Sequence, residues 1–135
     1  MLGDRIAELT TTETGRRVLA TVGGLHPALE VSMTGTGHLL GTHVREFITY
    51  GSELRPDGSL FGEGQGVGMS ATGEAYSWHG SGIGHFTGGG TVSWRGTIYF
   101  ESAADAFLHL NDLIGVFEFD SDSRGAGTVA LYEWK

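Results

Sequence analysis

Tyr76-Ser77-Trp78-His79-Gly80-Ser81-Gly82-Ile83-Gly84-His85-Phe86, then Thr87-Gly88-Gly89-Gly90, then Thr91-Val92-Ser93-Trp94-Arg95-Gly96-Thr97-Ile98-Tyr99-Phe100-Glu101, is the stretch that decides the fold. Side chains alternate in character on both sides of a glycine-rich break. A β-strand sends successive side chains to opposite faces, so a period of two marks strands, and a short glycine loop between two such runs marks a hairpin. Ala75 to Phe86 and Thr91 to Glu101 are therefore read as paired strands.

The same pattern extends outward. Ile6 to Thr12 and Arg17 to Val22 read as strands around a turn at Glu13-Thr14-Gly15-Arg16. Leu25-His26-Pro27 is a connector to a strand from Ala28 to Met33, which continues into Thr34-Gly35-Thr36-Gly37. His43 to Tyr50 and Leu60 to Met69 flank Arg55-Pro56-Asp57-Gly58, where proline presets φ and glycine accepts the positive φ that closes the turn. Thr72-Gly73 is the next turn. Ser102 to Leu113 breaks the period. Ser102 is a cap for a short helix with Asp105 three residues on, and Ala106, Leu110 and Leu113 fall at helical spacing. Ile114 to Phe119 and Thr128 to Trp134 close the chain around an acidic loop, Asp120 to Gly125. The expectation is an all-β chain, residues 1–135 forming a single domain: a closed antiparallel barrel of about eight strands with at most one short helix.

Composition narrows the function. The chain has 135 residues, 24 of them glycine, no cysteine, and a formal net charge of −8. Disulfides and thiolate chemistry are excluded. Nucleic acids and anionic membranes require basic surface that this chain lacks. A small neutral or apolar ligand, or another protein, suits it better. Met1-Leu2-Gly3-Asp4-Arg5 lacks a basic start followed by an apolar run, so no secretory signal is expected and the simplest location is the cytoplasm.

The motifs that could carry chemistry mostly dissolve on inspection. Gly62-Glu63-Gly64-Gln65-Gly66-Val67-Gly68 and Gly80-Ser81-Gly82-Ile83-Gly84 invite a nucleotide reading, but the third fingerprint position is Val67 in one and His85 in the other. The sole lysine is Lys135, so there is no Walker lysine. Alternate glycines instead leave one strand face bare, so that neighbouring rings can lie on the backbone. His26, His38, His43, His79, His85 and His109 show neither His-x-His nor HExxH spacing, and His79 and His85 stand roughly 20 Å apart along a strand. No metal and no cofactor is expected. No G-x-S-x-G is present.

One polar stripe remains. Ser77, His79, Ser81, Ile83 and His85 share a face, as do Ser93, Arg95, Thr97, Tyr99 and Glu101; Glu63 with Gln65, and Glu118, lie on two further strands. In one orientation this face meets water, and Trp78, Phe86, Trp94, Ile98, Phe100, Phe117 and Phe119 fill the core. In the other, Glu63, Gln65, Arg95, Tyr99 and Glu118 converge inside, and the aromatic face packs a partner subunit. Buried carboxylates would then need Arg95 as their charge partner.

Thr14 to Leu19, Gly35 to Gly41, Arg55 to Gly58, Gly62 to Val67, Gly84 to Gly88, Trp94 to Phe100, Phe117-Glu118 and Tyr132 to Lys135 together resemble a group of uncharacterised bacterial and archaeal small proteins. The hairpin Ile83 to Val92 resembles the glycine–aromatic–glycine hairpin of allene oxide cyclases and dirigent proteins. That resemblance implies an eight-stranded barrel, a homo-oligomer, and cyclisation or coupling of small apolar molecules in the barrel cavity. The resulting expectation is a small-molecule-binding barrel, a cofactor-free cyclase or isomerase. Glu63 and Glu118 serve as acid–base groups, Arg95 as charge partner and Tyr99 as hydrogen-bond donor, with Gln65, His79, Trp78 and Trp94 holding the ligand. The alternative is a non-enzymatic barrel that builds an oligomer or binds a protein.

Overall fold

In the computed structural model, described for residues 1–20 and 26–135, the alternating runs become eight strands. They are β1 (Leu2–Leu19), β2 (Ala28–Leu39), β3 (Thr42–Leu54), β4 (Leu60–Ser70), β5 (Ala75–Gly88), β6 (Thr91–Glu101), β7 (Gly115–Ser121) and β8 (Ala126–Trp134). Each pairs antiparallel with the next, and β8 returns to β1, which closes the barrel.

Turn chemistry follows the sequence closely. The Gly58 N–H donates to the Arg55 carbonyl, and the Asp57 carboxylate accepts from the Ser59 N–H and hydroxyl. Gly88, Gly89 and Gly90 all take positive φ in the β5–β6 turn, a conformation that only glycine adopts without cost. Among the described residues no helix is long and apolar enough to cross a membrane.

Three expectations change. Glu13 to Arg16 is a bulge inside one long strand: Glu13 pairs with Met33 and Gly15 with Ser32, leaving Thr14 unpaired. The β2 ladder continues on both sides, so the chain has no reason to turn back. The Arg16 guanidinium spans the bulge to the Glu13 carboxylate. The outer parts of this reading, Thr21 and Val22 of the expected strand and the connector residue Leu25, lie outside the described residues.

The break after β6 is a 3₁₀ helix, Asp105–Asp112, with no side-chain cap at its start. Its buried residues are Phe107 and Leu110, at the spacing of three that a 3₁₀ turn imposes, and not Ala106. Ser102 acts elsewhere: its hydroxyl donates to the Ala75 carbonyl, and its backbone N–H and C=O both bond to the Asn111 amide. Phe107 and Leu110 are fully buried and pack on Leu39, Val44, Tyr76, Ile98 and Phe100, plugging one end of the barrel.

The third change is Phe86, which is 58% exposed. It has the parity of Trp78 but lies at the rim beside the β5–β6 turn, past the inner wall. Toward that end the core is Met33, Ile48, Leu60, Trp94 and Phe119.

Candidate functional site

Strand parity puts the aromatic face inside. Trp94, Ile98, Phe100 and Phe119 are buried, with Trp78 and Phe117 packed against them. Burying each large apolar side chain is worth about 1.5–3 kcal/mol, whereas the polar stripe turned inward would cost several kcal/mol per ion. The stripe therefore faces out, and the interior pocket of Glu63, Gln65, Arg95, Tyr99 and Glu118 does not form.

Outside, these residues form separate groups. Gln65, His79 and Tyr99 occupy one cross-strand row, with the His79 and Tyr99 ring centroids 5.7 Å apart. Arg95 does meet Glu118, at 3.1 Å, and also Asp120, at 3.1 Å, but all three side chains are about half exposed. Glu63 is exposed, sits in the row of Ser81 and Thr97, and has no ion pair to Arg95. Trp78 and Trp94 alone among the expected site residues send their side chains inward.

A different carboxylate is inside. Val44, Glu46, Ile48 and Tyr50 share the inner face of β3, and Glu46 is 4% exposed. It is paired with Gly68 on β4, which is paired in turn with Tyr76 on β5; the neighbouring row is Ile48, Gly66 and Trp78. The glycines let the β5 rings cross over β4. A Cβ on Gly68 would lie 2.3 Å from the Tyr76 ring, and one on Gly66 would lie 2.5 Å from the Trp78 indole. The Tyr76 hydroxyl thereby donates to Glu46 Oε2 at 2.5 Å, and the Trp78 indole N–H to Oε1 at 2.9 Å. Burial pushes the Glu46 carboxyl above its ordinary range, and the two hydrogen bonds oppose that shift without cancelling it.

Glu46 forms part of the wall of a cavity of about 90 Å³, lined chiefly by Tyr50, Trp78, Trp94, Phe117, Phe119 and Val129, with an almost wholly carbon surface. This is well below the roughly 300 Å³ of a drug-sized pocket. Tyr50 packs edge-on against Trp94 and Phe119. Burial, then the nearby Glu13 charge, pushes the Tyr50 hydroxyl up to about 12, so it stays a neutral donor. Among the described residues no group of three or more His, Asp or Glu is arranged to hold a metal ion.

The signal for Glu46 was present in the sequence: a charge at the parity of Val44, Ile48 and Tyr50. A carboxylate on an apolar strand face is either paired or functional. The aromatic partners were hidden because they come from two strands away.

No family model matches the chain, and no curated protein matches it. Its fold is similar to solved structures. One is a protein of unknown function from Clostridium acetobutylicum ATCC 824, with a TM-score of 0.83 at 12% identity, covering 96% of each chain. Another is a conserved protein of unknown function from Rhodopseudomonas palustris, with a TM-score of 0.81 at 12% identity, covering 98% of this chain and 97% of that one. A third is a β-barrel-like protein from Acinetobacter baumannii AYE, with a TM-score of 0.83 at 13% identity, covering 100% of this chain and 96% of that one. At such identities the likeness is one of fold alone: the chain shares its barrel with bacterial proteins of unknown function.

Proposed function

We propose that this chain is a small-molecule-binding barrel that takes a small neutral apolar molecule, or the apolar end of a larger one, into its interior. One observation carries the reading: a buried carboxyl group, fixed by two donors, at the wall of an otherwise hydrocarbon cavity. Structural cores satisfy themselves more cheaply with carbon, and perturbed carboxyl groups in cavities are concentrated at functional sites. The cavity of about 90 Å³ limits the ligand, because an engineered apolar cavity that takes benzene measures about 150 Å³. The hairpin resemblance to allene oxide cyclases and dirigent proteins points the same way. A cofactor-free isomerase or cyclase is the catalytic form of this reading, with proton transfer assigned to Glu46.

The test is a titration with small neutral apolar molecules, followed by fluorescence of Trp78 and Trp94. Ala7 lines the cavity, so Ala7→Leu should fill part of it. Binding in the parent and at least tenfold weaker binding in Ala7→Leu supports the proposal. No binding, or equal binding in both, removes it.

A specific feature favours a second reading, self-association. Phe47, Val67 and Met69 are 49%, 52% and 46% exposed on neighbouring outer positions of β3 and β4. The patch carries Arg45 at one edge and, across Ser77, Glu101 at the other, so a second copy could meet it with opposite charge. Sedimentation of the parent against Val67→Glu tests it: a dimer in the first and a monomer in the second is the expected result, and a monomeric parent overturns it.

A further inference from the structure

The hydrogens at Glu46 do not balance its hydrogen bonds. In its acid form the cluster holds three donors: the Glu46 carboxyl O–H, the Tyr76 hydroxyl and the Trp78 indole N–H. The structure contains two hydrogen bonds among these groups, and the Glu46 side chain makes no other to a described residue. With Glu46 ionised, both donors are taken up by the carboxylate oxygens and no hydrogen is left over. With Glu46 neutral, the form that burial favours, one O–H is left over beside the cavity.

We propose that the interior ligand is a neutral molecule bearing a single hydrogen-bond acceptor, such as a ketone, aldehyde, ester or ether oxygen, on a hydrocarbon frame, and that the Glu46 carboxyl donates to that oxygen. The inference rests on the barrel interior being the binding site.

The remaining ligand classes fail for stated reasons. A pure hydrocarbon leaves the surplus donor unpaired in a carbon-lined space, which costs affinity. An anion would meet no positive group, because no Arg, Lys or His is among the described residues that line the cavity. An ammonium would have to give up its hydration in a carbon-lined space, against a carboxyl that burial holds toward its neutral form. A lone acceptor oxygen on a carbon frame completes the count, and it displaces whatever water the cavity would otherwise hold.

Cyclopentanone and cyclopentane form a matched pair of probes, alike in shape and differing in one acceptor. Binding is read from the Trp78 indole N–H resonance at mildly acidic pH. The expected result is cyclopentanone binding about tenfold or more tightly than cyclopentane. Glu46→Gln, whose amide keeps a donor, should retain the preference, and Glu46→Leu should abolish it while cyclopentane still binds. Equal affinity of the two probes for the parent overturns the acceptor requirement and leaves the interior site standing. Failure of both probes to bind overturns the interior site, and the acceptor requirement with it.

Discussion

The Tyr76 hydroxyl meets Glu46 Oε2 from two strands away, crossing the intervening strand at Gly68. A Cβ at that position would occupy the space of the ring. The bare glycine face of β4 and the buried carboxylate of β3 are thus one feature: the first makes room for the groups that satisfy the second.

Gly66 and Gly84 have the same role for the two tryptophans. A Cβ would lie 2.5 Å from the Trp78 indole at Gly66 and 2.9 Å from the Trp94 indole at Gly84. Gly66→Val and Gly84→Val should each destabilise the barrel by about 1–3 kcal/mol through overpacking. Urea denaturation midpoints measure this, and parental midpoints in both variants would count against the close approach.

Arg95 sits outside, so its ion pairs with Glu118 and Asp120 are screened by solvent. Arg95→Met should shift stability by no more than about 1 kcal/mol. A loss of about 3–5 kcal/mol in the same titration would signal a buried pair and contradict the orientation of the barrel wall.

Glu46 should leave a signature in the pH dependence of stability. Its folded-state pKa is raised above its ordinary value, so between the two values the folded chain binds more protons than the unfolded one. Stability contributed by the neutral form is therefore complete below the unfolded value and is lost as pH rises through the folded one. Comparing chemical denaturation of the parent and Glu46→Gln over this range isolates the effect. The decline should be present in the parent and missing from the variant; parallel curves would show that Glu46 does not titrate abnormally.

Phe107 plugs the end of the barrel, with its ring edge-on to Tyr76 at 5.1 Å. Phe107→Ala should cost about 3–5 kcal/mol. Since Tyr76 holds Glu46, the same variant should also broaden the Trp78 indole resonance. A sharp, unshifted resonance would mean that the plug and the carboxylate are independent.

Much of this was legible because strand parity is local. The run from Tyr76 to Glu101 carries its own turn and its own alternation, and both of its strands form as expected, with Phe86 displaced to the rim. The bulge at Thr14 was not legible, since a polar tetrapeptide with one glycine serves a turn or a bulge equally well, and only the continuous β2 ladder decides. The 3₁₀ spacing of Phe107 and Leu110 was obscured by a competing helical set through Ala106. The site was the least legible part. Polar residues in a stripe attract notice, yet the outward stripe is what a barrel wall shows to water. The single misplaced charge, Glu46, gains meaning only when β3, β4 and β5 are laid side by side.

The most direct test of the interior site is to locate a bound molecule by intermolecular nuclear Overhauser effects. With cyclopentanone as the probe, contacts should appear to protons of Trp78, Trp94 and Phe119, which line the cavity, and not to His79 or Tyr99 on the outer face. Contacts to His79 and Tyr99 without any to Trp94 would place the ligand outside the barrel and contradict the account.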